Sequence, residues 1–172
     1  MENKLESLSD IGHVDEFIFD KNDIKEWIDN FLSVPHKAFS GMPPCPYAKK
    51  AWIDNKIQVE TSTSRDLDDD IKKTLANFPE DKDVVMFLLD PREVSPEGLE
   101  LVSKIYSTDE WLILEDHPEG YEEVDGLCLN NGKYAIIFCN RREKLENARE
   151  ELKKTHYYDK FDPEYKEEVW SR

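Results

Sequence analysis

The stretch "DVVMFLLD", from Asp83 to Asp90, constrains the fold more than any other part of the chain. An uninterrupted apolar run of this length is typical of a central strand that is buried on both faces of a sheet. The next segment, "SPEGLELVSKIY", starts with a serine cap, a proline at the first helical position and Glu97 in the first turn, which together mark the start of a helix. A buried strand followed by a helix predicts an α/β protein.

The same alternation continues on both sides of this strand. Three further strands are predicted in the segments "IQVETS", "EWLILED" and "YAIIFCN". Further helices are predicted in "DIKEWIDNFL", "YAKKAW", "SRDLDDDIKKTLANF" and "RREKLENAREELKK". The first two crossovers resemble βαβ units, and the last two strands resemble an antiparallel hairpin. We therefore expect one α/β (α+β) domain over residues 21–172, a four-stranded mixed sheet with flanking helices, preceded by a partly ordered N-terminal arm over residues 1–20.

The charge and the cysteine content narrow the classes of partner. The chain has 172 residues and a formal net charge of −16, which disfavours binding to nucleic acids and to anionic membranes. No apolar run reaches the roughly 18 residues of a membrane span, and the N-terminal residues do not have the pattern of a secretory signal. Three widely spaced cysteines predict no disulfide framework, which favours the cytoplasm. The acidity indicates either solubility alone or a basic partner.

The stretch "FSGMPPCPYAKKAW" contains the first candidate for chemistry, Cys45. Pro44 and Pro46 fix the backbone on both sides of it, and a following helix N-terminus would stabilise a thiolate. The alternative is that Cys45 is a small apolar residue beneath a turn. The motif "CPYA" resembles the "CPYC" motif of glutaredoxins, but Ala48 occupies the position of the second cysteine, so dithiol chemistry is not predicted.

A second resemblance covers the chain from about Asp23 to Tyr121. An amphipathic helix is followed by "PCPYAK", a buried strand and "EDHPEGY". This order resembles an uncharacterised bacterial family known as domain of unknown function fourteen-fifteen, whose members carry "LCPFAK"-type and "FHPDY"-type motifs. Tyr47 stands in place of a phenylalanine of that family. The resemblance pairs Cys45 with His117 and implies no particular activity.

His117 is the second candidate, because it follows the strand "EWLILED" where the strand passes into a loop. Open α/β sheets bind ligands beyond strand ends. Cys45 and His117 are therefore predicted either to bind a metal, Zn or Fe, or to act as thiol and general base. Asp116 or Glu115 would orient His117. A purely structural role in a turn remains the alternative.

The complete set of predicted site residues has two parts. The catalytic candidates are Cys45, Tyr47, Asp116 and His117. The candidates for substrate binding are Lys49, Tyr121 and Arg141, of which the two basic residues would attract an anionic group. The aromatic residues of the C-terminal region are predicted either to pack on the sheet or to form an interface for a homodimer or a partner.

Two functions follow as hypotheses. The first is a small cytoplasmic enzyme that acts on a small-molecule substrate through a Cys45–His117 cleft, with or without a metal. The second is a non-catalytic interaction module whose acidic face binds a basic protein.

Overall fold

The apolar run of Val84–Leu89 is an inner strand of a four-stranded mixed sheet in the computed structural model, which describes residues 15–172. The sheet has the strand order β1-β2-β6-β3, and β4 and β5 form a separate hairpin. The strands are β1 (Ile57–Thr61), β2 (Val84–Leu89), β3 (Trp111–Asp116), β4 (Glu123–Val124), β5 (Leu127–Cys128) and β6 (Ala135–Arg141). The α-helices are α1 (Lys21–Trp27), α2 (Ala48–Ile53), α3 (Leu67–Ala76), α4 (Pro96–Tyr106), α5 (Arg142–Lys153) and α6 (Pro163–Ser171).

The sequence-based prediction of the fold is confirmed: the chain is a single α+β domain with a mixed sheet and flanking helices. β1 and β2 pair in parallel and are joined through α3, as in a βαβ unit. β6 lies between β2 and β3 and is antiparallel to both. Because β6 takes the position between them, β2 and β3 run in the same direction without pairing.

Two apolar clusters cover the two faces of the sheet. On one face, Val85, Phe87 and Ile137 pack in a cluster that also includes residues of α3 and α4. On the other face, Met86 and Leu88 of β2 pack in a cluster that also includes residues of α1 and α2. Adjacent residues of β2 thus belong to opposite clusters, which is the expected alternation along a strand. Burial on both faces explains the continuous apolar sequence of β2.

A short π-helix, Ile28–Leu32, continues α1 and places the turn that contains Cys45. The amide of Ser33 donates a hydrogen bond to the carbonyl of Ile28 (2.9 Å), which is the wide spacing of a π-turn. The carbonyl of Leu32 then accepts a hydrogen bond from the amide of Cys45 (2.9 Å). The end of the first helix is therefore fixed directly to the cysteine turn.

The aromatic residues of the C-terminal region pack within the described part of the chain, in a cluster that contains no strand residue of the four-stranded sheet. This third apolar cluster buries Tyr157, Tyr158 and Phe161. It also contains Phe39, which precedes the cysteine turn, and Val124 of the β4–β5 hairpin. The hydroxyl of Tyr157 donates a hydrogen bond to the carbonyl of Pro44. This cluster joins the cysteine turn to the last third of the chain.

The N-terminal arm is described only from Asp15 onward, so the predicted arm over residues 1–20 lies largely outside the described residues. Phe17 and Phe19 pack on the ring of Tyr134, with centroid distances of 5.7 and 5.9 Å. The last residues of the arm therefore belong to the cluster that faces α1. No helix within residues 15–172 has the length and apolar character to cross a membrane.

Candidate functional site

An open groove of about 980 Å³ lies on the face of the sheet that α1 and α2 cover. Its floor includes Met86, Leu114 and Phe138, which stand opposite one another in register across β2, β3 and β6. The walls come from the α1 and π-helical segment, the cysteine turn, α5 and α6; the apolar wall residues include Ile24, Trp27, Ile28, Leu32, Pro44, Ala48, Leu145, Ala148, Tyr165 and Val169. The groove thus runs between the cluster that faces α1 and the C-terminal cluster.

Cys45 lines this groove, but its surroundings do not favour a thiolate. Burial raises the pKa of the Cys45 thiol, and the hydrogen bonds from the backbone N–H groups of Tyr47 and Ala48 lower it by less. α2 begins at Ala48 and has only six residues. Desolvation therefore keeps the thiol protonated, contrary to the expectation that a helix N-terminus would activate it.

His117 also lines the groove, and both of its ring nitrogens are bonded to backbone groups. Its Nδ1 accepts a hydrogen bond from the amide of Glu119 (3.0 Å), which places the ring proton on Nε2. That Nε2–H faces the carbonyls of Val94 (2.9 Å) and Pro91 (3.2 Å). In this arrangement neither nitrogen has a lone pair available for a metal or a substrate proton. The imidazole instead ties the turn before α4 to the loop after β3.

The carboxylates of Glu115 and Asp116, which precede His117, form hydrogen bonds with groups other than the His117 ring. Asp116 is buried and accepts hydrogen bonds from the backbone N–H (3.1 Å) and the side-chain amide (2.8 Å) of Asn131. Burial raises the pKa of Asp116, and these bonds oppose the increase. Glu115 accepts two hydrogen bonds from Arg172 (3.0 and 2.8 Å) and one from Ser103. The His117 ring is therefore oriented by backbone groups and not, as predicted, by a carboxylate.

No group of three or more His, Cys, Asp or Glu side chains is arranged to hold a metal ion within residues 15–172. The predicted Zn or Fe site at Cys45 and His117 therefore has no third such ligand in the described part of the chain. The two residues share a groove, and the chemistry predicted for the pair is not supported by their hydrogen bonds.

Of the remaining predicted site residues, Tyr47, Tyr121 and Arg141 line the groove and Lys49 does not. Tyr47 lines the groove with 43% of its surface exposed, and Tyr121 stands at the rim with 98% exposed. Lys49 is exposed on α2. The Arg141 guanidinium donates to the carbonyls of Lys82 (2.9 Å) and Pro79 (3.0 Å), so its donors stabilise a loop.

Sequence reasoning missed the ionisable groups at the β3 end of the groove. Glu122 is half-buried and lines the groove. Its pKa is raised to about 8 by desolvation of the carboxyl and by the negative charges of Asp116, Glu115 and Glu168. Arg172 opposes this increase. At neutral pH the carboxyl of Glu122 is therefore mostly protonated. Its neighbours in "PEGYEEVDG" give no hint of this, because the loop reads as exposed and polar.

Two arginines and a tyrosine complete this end of the groove. Arg172 is fixed by the two bonds to Glu115, and its carbonyl accepts a hydrogen bond from Arg149 (3.1 Å). Burial lowers the pKa of the Arg149 guanidinium. Burial also raises the pKa of Tyr165, to which Glu122 and Glu168 contribute. The site thus places charged and neutral acidic groups beside an apolar channel.

Comparisons with known proteins assign no family to the chain. No protein-family model, no curated protein and no solved structure matches the chain. The resemblances to the uncharacterised bacterial family and to glutaredoxins stay predictions.

Proposed function

We propose that the protein binds a small, largely apolar molecule in the groove between the sheet and the helices α1, α5 and α6. The observation that carries this proposal is the groove itself: about 980 Å³, with an apolar floor across three strands and polar groups on its walls. Binding sites for small molecules are concave, mainly apolar, and carry a few polar groups that orient the ligand.

A second candidate is the predicted enzyme, for which Glu122 is a better catalytic residue than the Cys45–His117 pair. A carboxyl with a pKa of about 8 carries a proton at neutral pH and can donate it to a bound substrate as a general acid. Cys45 and His117 would then shape the site without reacting. This candidate needs a ligand whose reacting atom lies within hydrogen-bond reach of Glu122.

We infer a cytoplasmic location from the three free cysteines among residues 15–172. The hypothesis of a basic protein partner stays open, since it depends on the net charge of −16 and on salt-sensitive association. A homodimer through the aromatic C-terminal region is less supported, because Tyr157, Tyr158 and Phe161 are buried within the chain.

The test is to block the groove without unfolding the protein. Ala148 lies on α5 and lines the groove, so Ala148→Phe should obstruct it. Ala76→Phe is the matched control, because Ala76 is exposed at the end of α3, outside the groove. With phenylbutanol as a neutral apolar probe, saturation-transfer NMR should show binding to the wild type and to Ala76→Phe. Binding should be lost in Ala148→Phe. Equal binding to all three proteins, or none to the wild type, would contradict the proposal.

A further inference from the structure

The carboxyl groups at the β3 end of the groove outnumber the cations that face them. Glu115 and Asp116 come from β3, Glu122 from the following loop and Glu168 from α6, and all of them line the groove. Arg172 is the cation that acts on Glu122, and both of its bonds are made to Glu115. Like charges held close together in a partly desolvated site repel one another.

Within residues 15–172, Glu122 and Glu168 are the two carboxyls of this group without a side-chain partner, and Glu122 is half-buried whereas Glu168 is exposed. Asp116 is bonded to Asn131, and Glu115 is bonded to Arg172 and Ser103. With respect to residues 15–172, the side chain of Glu122 has neither an ion pair nor a hydrogen bond, although its backbone carbonyl accepts a bond from Leu129 (3.0 Å). A carboxyl that faces an apolar groove without a partner is complementary to a ligand that brings one.

The other charged groups around this end do not supply that partner. From α5, Arg149 donates to the carbonyl of Arg172. From α6, Tyr165 contributes a phenol and Glu168 a further carboxyl. From α4, Glu97 and Glu100 add negative charge at the groove edge. An anionic head group would meet more carboxyls than guanidinium groups here, whereas a cation would be attracted.

We propose that the ligand of the groove is a cationic amphiphile, a molecule with an apolar body and a basic amine that pairs with Glu122. The apolar body lies over Met86, Leu114 and Phe138, and the ammonium group reaches the β3 end. This inference rests on the proposed function, because it names the chemical class of the molecule that the groove binds.

Proton release accompanies this binding. In the free protein at neutral pH, Glu122 carries a proton, and the amine in solution is already an ammonium ion. When the ammonium ion pairs with the carboxylate, the Glu122 proton passes to the buffer and the nitrogen keeps its own. Binding at pH 7 therefore releases close to one proton, whereas a neutral ligand releases none.

The experiment compares three probes with the same apolar body: phenylbutylamine, phenylbutanol and phenylbutyrate. Calorimetry at pH 7 in two buffers of different ionisation enthalpy gives both the affinity and the protons released. We expect the amine to bind at least about tenfold more tightly than the alcohol, with phenylbutyrate the weakest. Glu122→Gln should abolish both this preference and the proton release, while Glu123→Gln should keep both, because Glu123 is exposed on β4.

Each other outcome has a definite meaning. Equal affinity for the amine and the alcohol would overturn the inference and leave the proposed groove function standing. Tighter binding of phenylbutyrate would overturn it in favour of an anion site at Arg149. An amine preference that survives in a folded Glu122→Gln variant would also overturn it, and thermal unfolding monitors that fold. No binding of any probe would refute the proposed function as well.

Discussion

The pKa of Glu122 leads to a quantitative prediction about stability. Glu122→Gln replaces the carboxyl with an uncharged amide of similar shape, which resembles the protonated acid that the folded protein holds at neutral pH. The ordinary pKa of 4.5 is raised to about 8 in the folded state. Between these two values the unfolded chain releases the proton while the folded chain retains it. The wild type therefore loses stability as the pH rises through this window.

The magnitude follows from the width of the window. Each unit of pKa difference is worth about 1.4 kcal/mol, so full burial would give an upper limit of about 5 kcal/mol. Because the carboxyl faces an open groove, solvent reduces this value. We expect Glu122→Gln to gain about 2–4 kcal/mol in unfolding free energy relative to the wild type between pH 5 and pH 9. Below pH 4.5 the difference between the two proteins should no longer change.

Urea unfolding followed by circular dichroism at five pH values from 5 to 9 measures this difference (about 1.4 kcal/mol corresponds to a tenfold change in the folding constant). The net charge of −16 also destabilises the wild type as pH rises. Glu123→Gln removes one carboxyl from an exposed position of the same segment and corrects for that general effect. A difference between the two variants that stays constant with pH would show that Glu122 titrates normally, and the argument from desolvation would fail.

Three further predictions concern individual side chains. His117→Ala should lower the unfolding free energy by about 2–4 kcal/mol, because three backbone groups lose a buried partner; unchanged stability in urea would contradict a structural role. Tyr134→Phe should cost about 1–2 kcal/mol by removing the hydroxyl bonded to Asp23 (2.5 Å), and a neutral result in thermal unfolding would refute it. In a thiol-reagent assay Cys45 should react slowly and the exposed Cys128 quickly; a fast phase that survives Cys128→Ser would oppose this.

The sheet was predictable because its signals are local. β2 is apolar along its whole length and β6 is apolar from Ala135 to Cys139, since both are buried on both faces. Their length and the flanking turn residues distinguish them from helices. The start of α4 was predictable from Ser95 and Pro96, and the Ser95 hydroxyl accepts the predicted capping hydrogen bond from the amide of Gly98 (3.0 Å). The continuation of α1 into a π-helix carries no comparable signal in the sequence.

The groove was predictable only in part, because its chemistry depends on distant contacts. Cys45 and His117, which the motifs paired, both line the groove. The state of His117 depends on the carbonyls of Pro91 and Val94, more than twenty residues away in sequence. The pKa of Glu122 depends on groups from β3 and α6 that only the tertiary fold brings together. The sequence shows which side chains can bind a proton, but the protonation state depends on neighbours that only the fold brings together.

The groove lies on one face of the sheet because the two faces are covered differently. α3 and α4 come from the middle of the chain, and each is joined to the strands beside it. The opposite face is covered from both ends of the chain, by α1 and α2 on one side and by the C-terminal region on the other. Contacts such as Tyr157 to Pro44 and Lys160 to Lys37 (2.7 Å) join these two parts. The third apolar cluster and these bonds join the two parts beside the groove, whereas the α3–α4 face is closed by its own core.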